Sequence, residues 1–212
     1  MRQRGDERRQ AMIAAALELV GERGPNAVTL GDVGQRVGTS HAAVLYHFRS
    51  RRELLLAVLV ERDRRARAVL DRCFAKGGLD SLRRLADLGH GIQREPNFTK
   101  LGLVLQAASL GDDQIGRYLR ARNHYIRNGL ARTMRMGQER GEIRADVDIE
   151  ARAAQVAAFM FGIAHLHFVD PDGVDIVGAY EDFVRQLIDA ISAEGAATAE
   201  GAATADGAVT PG

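Results

Sequence analysis

Apolar residues recur along most of the chain at steps of three and four positions, a spacing that places them on one face of a helix. Ile13, Leu17 and Val20 form one such stripe near the start, and similar stripes continue to Ile191. No segment alternates apolar and polar residues between hairpin turns, as a half-buried strand would. The pattern therefore predicts an all-α protein.

Capping residues and helix breakers divide this pattern into about nine helices. Thr29 is followed by Asp32, and Ser50 by Glu53, with the three-residue spacing of a capping box. Asp6 has the type of side chain that caps a helix and precedes the first one. The predicted helices span residues 7–23, 30–37, 41–47, 51–75, 80–94, 98–109, 113–140, 149–169 and 174–193.

The end of the chain has a different composition. The sequence Glu-Gly-Ala-Ala-Thr-Ala occupies positions 194–199 and is repeated at 200–205. These short copies lack the large apolar side chains that stacked repeats need to form a core. We expect residues 194–212 to be a disordered low-complexity tail.

Length and charge limit the class of protein. The chain has 212 residues, of which 46% are hydrophobic, enough for one domain of ordinary size or two small ones. Lys and Arg number 29 against 28 acidic residues, so the chain is not a polycation. Residues 1–52 nevertheless contain nine arginines and only five acidic residues. Such a cluster suits contact with nucleic-acid phosphates, although a solvated basic face has the same composition.

Several features argue against a secreted, membrane or metal protein. Cys73 is the single cysteine, which excludes an internal disulfide and a metal site built from several cysteines. The charged N-terminus leads into no apolar signal segment. The most apolar stretch, residues 153–169, is short for a membrane span and contains His165 and His167, which point about 200° apart on a helix. We expect a cytoplasmic protein without a membrane span, metal ion or other cofactor.

Three short helices are predicted within residues 7–47, and Gly38 separates the second from the third. Because glycine adopts positive φ at little cost, it lets the chain turn sharply between two packed helices. Val33, Val37, Val44 and Phe48 can then form a small shared core with Ile13 and Leu17. This is the layout of a helix-turn-helix, whose second helix enters the major groove of DNA.

The same stretch resembles the TetR family of bacterial regulators. Residues 38–54 read Gly-Thr-Ser-His-Ala-Ala-Val-Leu-Tyr-His-Phe-Arg-Ser-Arg-Arg-Glu-Leu, close to the family pattern Gly-Val-Ser-x-x-x-Leu-Tyr-x-His-Phe-x-Ser-Lys-x-x-Leu. Residues 14–24 look like the family's first helix. Leu45 departs from the pattern because it takes the usual tyrosine position, with Tyr46 next to it, and Arg51 stands for the family lysine.

The resemblance implies a helix-turn-helix DNA-binding domain over residues 1–50 and a larger helical domain for ligand binding and dimerisation over 51–193. It implies a homodimeric repressor that an unknown small molecule releases from a palindromic double-stranded operator. The side-chain hydroxyl groups and the guanidinium of Arg51 can donate hydrogen bonds to phosphate oxygens. His41 and Ala42 can contact base edges. The implied DNA contacts are Thr29, Thr39, Ser40, His41, Ala42, Tyr46, His47 and Arg51.

For the larger domain, the resemblance implies a pocket among the middle helices and a dimer formed by the last two. The helix predicted over 149–169 also carries five small residues that allow close backbone approach, namely Ala153, Ala154, Ala157, Ala158 and Gly162. The candidate pocket residues are polar or aromatic side chains on otherwise apolar helices, namely His90, Phe98, Gln106, Arg122, Tyr125, Phe159 and His165. Ordinary packing explains each of them equally well.

Two other interpretations stay open at this point. The first is a DNA-binding dimer that has no small-molecule sensor. The second is an enzyme or metal protein on a helical scaffold, but the sequence contains no nucleophile elbow, His-Glu-x-x-His motif or phosphate-cradling loop. We therefore expect a regulator and not an enzyme.

Overall fold

The structure, a computed structural model, describes residues 2–108 and 113–193, most of which lie in helices. An isolated antiparallel bridge between Ile143 and Ser192 is the only strand-like pairing in them. The predicted tail at 194–212 lies outside the described residues. The helices are α1 (Arg2–Arg23), α2 (Leu30–Arg36), α3 (His41–His47), α4 (Arg51–Phe74), α5 (Gly78–Arg83), α6 (Asp87–Arg94), α7 (Pro96–Ala108), α8 (Asp113–Glu139), α9 (Ile149–Val169) and α10 (Ile176–Ile191).

The prediction of an all-α protein is confirmed. The helix predicted over 80–94 is a run of α5, a short 3-10 helix at Arg84–Ala86 and α6. A second 3-10 helix, Pro25–Ala27, follows α1. None of the described helices combines the length and the hydropathy that a membrane span requires.

Local capping chemistry sets several helix starts. The side chain of Asp148 accepts the Ala151 N–H at 3.0 Å at the start of α9. Ser50 Oγ accepts the Glu53 N–H at 3.1 Å, while the Glu53 carboxylate accepts from the N–H of Arg49 at 2.9 Å. The capping prediction for Asp6 is wrong, since Asp6 lies inside α1. The residues before it are mostly good helix formers and extend the helix to Arg2.

The chain forms two compact units. Among the described residues, the first unit comprises 2–69, 92–108 and 113–122, and the second comprises 70–91 and 123–193. In the first unit, Ile13 and Leu17 of α1 are buried in one cluster with the side chains of Val33, Val44 and Phe48, as the pattern predicts. The burial of this cluster fixes α2 and α3 against α1.

The second unit has its own core. Leu130 and Met134 of α8 pack in it with Val156 of α9 and Leu187 of α10. Helix α9 is buried along only one side, because Ala153 and Ala157 are buried whereas Ala154, Ala158 and Gly162 are exposed. Within the described part of this unit, the exposed small residues form one uncovered face of α9.

Gly38 adopts φ +68° in the turn between α2 and α3. An alanine at this position is strained in the left-handed region, so we expect Gly38→Ala to lower the free energy of unfolding by about 1–2 kcal/mol. Gly102→Ala is the control, since a methyl group in the middle of α7 meets no atom within 4 Å. It should raise the free energy of unfolding by up to about 1 kcal/mol. Urea unfolding at one protein concentration measures both, and equal effects would contradict this role of Gly38.

Candidate nucleic-acid interface

The first turn of α2 is closed by a complete capping box. Thr29 Oγ1 accepts the N–H of Asp32 at 3.1 Å, and the Asp32 carboxylate accepts the N–H of Thr29 at 2.9 Å. The Thr29 hydroxyl also donates to this carboxylate at 2.5 Å. The hydroxyl of Thr29, a predicted phosphate contact, is therefore already bonded within the chain.

The turn from α2 to α3 is unusually close to the helix before it. A Cβ atom on Gly34 would lie 3.0 Å from the carbonyl oxygen of Thr39, and the Gly34 carbonyl accepts the Thr39 N–H at 2.8 Å. Ser40 then caps α3, since its Oγ accepts the Ala43 N–H at 3.1 Å. These backbone contacts fix the direction in which α3 leaves the turn.

Helix α3 has one buried side and one exposed side. Val44 is fully buried, and Phe48, which ends the helix, is buried with it. On the other side His41 and Ala42 are exposed, and Tyr46 is 86% exposed. His41, Ala42 and Tyr46 thus form an exposed side of α3 opposite the buried Val44.

The remaining predicted contacts lie on or beside α3. Ser40 is exposed at its first turn, and Thr39 is half-buried just before it. His47 is half-buried, with its ring edge-on to Tyr46 at 5.3 Å between centroids. Leu45, in the position where the family has tyrosine, is 39% exposed and lies beside Tyr46. The structure thus brings the predicted residues from Thr39 to His47 together on one short element.

The arginines of this region have different partners. Arg36 donates to Glu22 at 2.9 Å and to Glu18 at 3.2 Å, which joins α2 to α1. The hydrogen bond from Arg36 lowers the pKa of Glu22 below its usual value. Arg8 and Arg49 are exposed instead. Part of the positive charge in this region therefore joins α2 to α1, while Arg8 and Arg49 face solvent.

Two further arginines, Arg9 within α1 and Arg51 at the start of α4, contact an aromatic ring and backbone carbonyl groups. The guanidinium carbon of Arg9 lies 4.8 Å from the centre of the Phe48 ring, a cation–π contact that sequence spacing does not reveal. Arg51 at the start of α4 donates from Nε to the carbonyl oxygen of Val28 at 2.7 Å and from a terminal nitrogen to that of Pro25. Its predicted contact with a phosphate stays a prediction.

The predicted pocket residues are divided between the two units. In the first unit, Phe98 packs against the core and Arg122 Nε donates to Asp63 at 2.7 Å, while Gln106 is exposed. The hydroxyl of Tyr118 donates to the same Asp63 oxygen at 2.8 Å. This half-buried carboxylate was not anticipated, because the residues that meet it are more than 50 positions away in the sequence.

The other four candidates lie in the second unit. The hydroxyl of Tyr125 donates to Asp71 at 2.5 Å, and the ring of Phe159 stacks on that of Phe183 with 3.8 Å between centroids. His90 and His165 are exposed. Phe98, Arg122, Tyr125 and Phe159 thus each have a partner within their own unit.

Two surface clefts can be described by their linings. One of about 410 Å³ lies in the first unit and is lined by α1 and α4, with Ile13, Leu56 and Val60 among its side chains. The other, of about 370 Å³, lies in the second unit beside Val184 and Ile188 of α10. None of the seven predicted pocket residues lines either cleft.

Comparison with known families gives two matches along the chain. The model described as "Bacterial regulatory proteins, tetR family" matches residues 12–58, which include α2, α3 and the start of α4. The model described as "BetI-type transcriptional repressor, C-terminal" matches residues 82–193, which is more than half of the chain.

Individual relatives are similar over nearly their full length. The "Probable HTH-type transcriptional regulator ArpR" of Pseudomonas putida is 22% identical over 201 residues, covering 90% of this chain and 94% of the relative. A solved structure of SmeT, the repressor of a Stenotrophomonas maltophilia multidrug efflux pump, has a TM-score of 0.69 at 20% identity and covers 88% of this chain and 91% of its own. A regulator from Saccharomonospora viridis in complex with choline has a TM-score of 0.69 at 25% identity, with 88% and 98% coverage.

The capping box of α2 makes stability depend on pH. Hydrogen bonds from the Thr29 side chain and backbone lower the pKa of Asp32 below its usual value. Because the pKa of Asp32 is lower in the folded state than in the unfolded state, its ionised carboxylate stabilises the fold. This stabilisation is fully present above the unfolded-state pKa and is lost as pH falls through the folded-state pKa. We expect the stability advantage of the unmodified chain over Asp32→Asn to shrink as pH falls from about 6 to about 3.

Urea unfolding of both chains at each pH measures this difference. Asp189→Asn, at an exposed position of α10, is the control for loss of a carboxylate elsewhere. A difference between Asp32→Asn and the unmodified chain that stays constant over this range would contradict the role of the Asp32 carboxylate.

Proposed function

Since the chain belongs to the TetR family of bacterial regulatory proteins and is therefore a DNA-binding transcriptional regulator, we propose that it is a homodimeric repressor released from a palindromic operator by a small molecule. The observation that carries the proposal is the exposed face of α3, which displays His41, Ala42 and Tyr46 above a fully buried Val44. A helix anchored in this way can enter the major groove without unfolding anything else. We further propose that the protein acts in the cytoplasm.

The proposed DNA contacts follow from the chemistry of each exposed group. His41 and Ala42, at the first turn of α3, are the residues that contact base edges, since imidazole can donate or accept and a methyl group suits thymine. Tyr46 contacts the groove wall or a phosphate one turn later, with His47 beside it. Thr39 and Ser40 lie just before α3, where phosphate oxygens are favoured. Thr29 lies just before α2 and contacts a phosphate only when its hydroxyl turns away from the Asp32 carboxylate to which it donates.

The dimer uses the exposed face of α9. Ala154, Ala158 and Gly162 lie one turn apart on this face, and Leu166 and Val169 continue it with 56% and 66% of their surfaces exposed. Small residues let two helices approach closely, and an apolar surface of this length is costly to leave in water. A second copy of the chain is the partner that a symmetric operator requires.

The small-molecule step rests on similarity to the choline-bound Saccharomonospora viridis regulator. In that scheme the effector favours a state in which the two copies of α3 no longer match the two half-sites. The candidate residues are His90, Phe98, Gln106, Arg122, Tyr125, Phe159 and His165. Compounds that copurify with the chain, identified by mass spectrometry, are the first effectors to test for release of DNA.

A second candidate function is a DNA-binding dimer without a sensor. It is favoured by the engagement of Phe98, Arg122 and Phe159 in packing and hydrogen bonds inside their own units. The two candidates differ in one outcome. A sensor loses operator affinity when its effector is added, whereas the second candidate binds the operator equally well with every compound that copurifies.

Duplexes selected by the chain from a randomised library test the DNA-binding face. We expect His41→Ala to lose about 1–3 kcal/mol of discrimination between the selected duplex and a scrambled one, because it loses a contact to a base edge. Affinity for the scrambled duplex should not change. Fluorescence anisotropy measures both affinities.

His124→Ala is the matched control, since His124 is an exposed histidine on α8. The proposal fails if no duplex is enriched at low salt. It also fails if the His41→Ala variant, like the His124→Ala control, discriminates between the two duplexes to the same degree as the unmodified chain.

The proposed dimer interface on α9 leads to a separate prediction. Ala158→Arg places a charge in the middle of the exposed face of α9, so we expect a folded chain with the mass of one copy in light scattering. Ala121→Arg, on an exposed position of α8, should keep the mass of two copies. An Ala158→Arg chain that still has the mass of two copies would exclude this face as the interface.

A further inference from the structure

Arg51 joins the start of α4 to the segment that connects α1 and α2. Its Nε donates to the carbonyl oxygen of Val28 at 2.7 Å, and a terminal nitrogen donates to the carbonyl oxygen of Pro25. Both hydrogen bonds are partly buried. The guanidinium thus spans two backbone positions that lie 23 and 26 residues before it.

The connecting segment has no regular helix to hold it in place. It begins at Gly24, where φ is +78°, continues through the 3-10 helix Pro25–Ala27 and ends in extended backbone at Val28 and Thr29. Pro25 and Val28 are buried, so their carbonyl groups need partners inside the protein. Arg51 supplies a donor to each of them.

The position of this connecting segment determines where α2 begins and where Thr29 lies relative to DNA. Thr29 follows Val28 directly and closes the capping box with Asp32. The proposed phosphate contacts at the start of α2 therefore depend on where the backbone from Pro25 to Val28 is held. A guanidinium is suited to this task because its N–H groups lie in one plane at fixed angles.

We propose that Arg51 is a positioning residue for operator binding, which clamps the carbonyl groups of Pro25 and Val28 and does not itself neutralise a phosphate. The inference rests on the proposed function, because it assigns a role within operator recognition. It revises the sequence-based prediction that Arg51 contacts a phosphate. The two roles make opposite predictions for a lysine at this position.

A lysine keeps the positive charge but concentrates it on a single nitrogen. A phosphate contact needs only a positive group within reach, so lysine can replace arginine there. Two separate carbonyl groups need the planar fork, and the flexible ammonium group does not reproduce that geometry. Arg51→Lys should therefore behave like Arg51→Ala if Arg51 is a clamp, and like the unmodified chain if it is a phosphate contact.

The experiment measures affinity for the selected duplex over a range of salt concentrations for the unmodified chain, Arg51→Ala and Arg51→Lys. We expect both variants to bind about tenfold more weakly, as loss of a hydrogen bond from a charged group predicts. The slope of log affinity against log salt should stay that of the unmodified chain, because no phosphate contact is lost. Arg117→Ala, which removes an exposed arginine from α8, is the control and should match the unmodified chain.

Hydrogen exchange followed by mass spectrometry supplies a readout without DNA. Peptides covering residues 25–33 should exchange faster in both Arg51 variants, while peptides from α9 exchange at the rate of the unmodified chain. Unchanged exchange at 25–33 would overturn the clamp. Faster exchange in α9 as well would show a general loss of stability in place of local positioning, and it would also overturn the inference.

The measurements of duplex affinity can also overturn the inference. Normal affinity in Arg51→Lys, together with a salt slope lowered by about one in Arg51→Ala, would assign Arg51 to a phosphate. If the unmodified chain selects no duplex, the proposed function fails and the exchange measurement alone decides whether Arg51 is a clamp.

Discussion

The surface that α3 presents depends on how closely α2 and the following turn pack together. A Cβ atom on Gly34 would lie 3.0 Å from the carbonyl oxygen of Thr39, so a side chain at this position would require the turn to shift. Val33 and Val44 fill the space between the two helices and are fully buried. One side of α3 is buried by this packing. Its other side, which carries His41, Ala42 and Tyr46, is exposed. The exposed polar and aromatic groups on that side are what remains to bind DNA.

Some arginines in this region stabilise the fold through hydrogen bonds within the chain, whereas others face solvent. Arg36 pairs with acidic residues of α1, and Arg51 donates to backbone carbonyl groups. Arg8 and Arg49 are exposed and can approach phosphates. A count of arginines therefore overestimates the positive surface, and the partner of each guanidinium decides what it contributes to DNA affinity.

Features that depend on neighbours in sequence could be predicted, and those that depend on distant segments could not. Periodicity gave the helices, and the Thr29–Asp32 box follows from a spacing of three residues. Asp6 was misassigned because its side chain type suits a cap even where good helix formers continue the helix through it. The partners of Arg51 and the meeting of Tyr118 and Arg122 at Asp63 depend on packing across many residues, for which the sequence carries no local signal.

We propose that the exposed face of α3 contacts base edges. A structure of the chain bound to a duplex that it has selected tests this claim most directly. We predict that α3 of each copy lies in the major groove, with His41 and Ala42 nearest to the bases. A complex in which α3 remains in solvent while another surface holds the duplex would contradict the account.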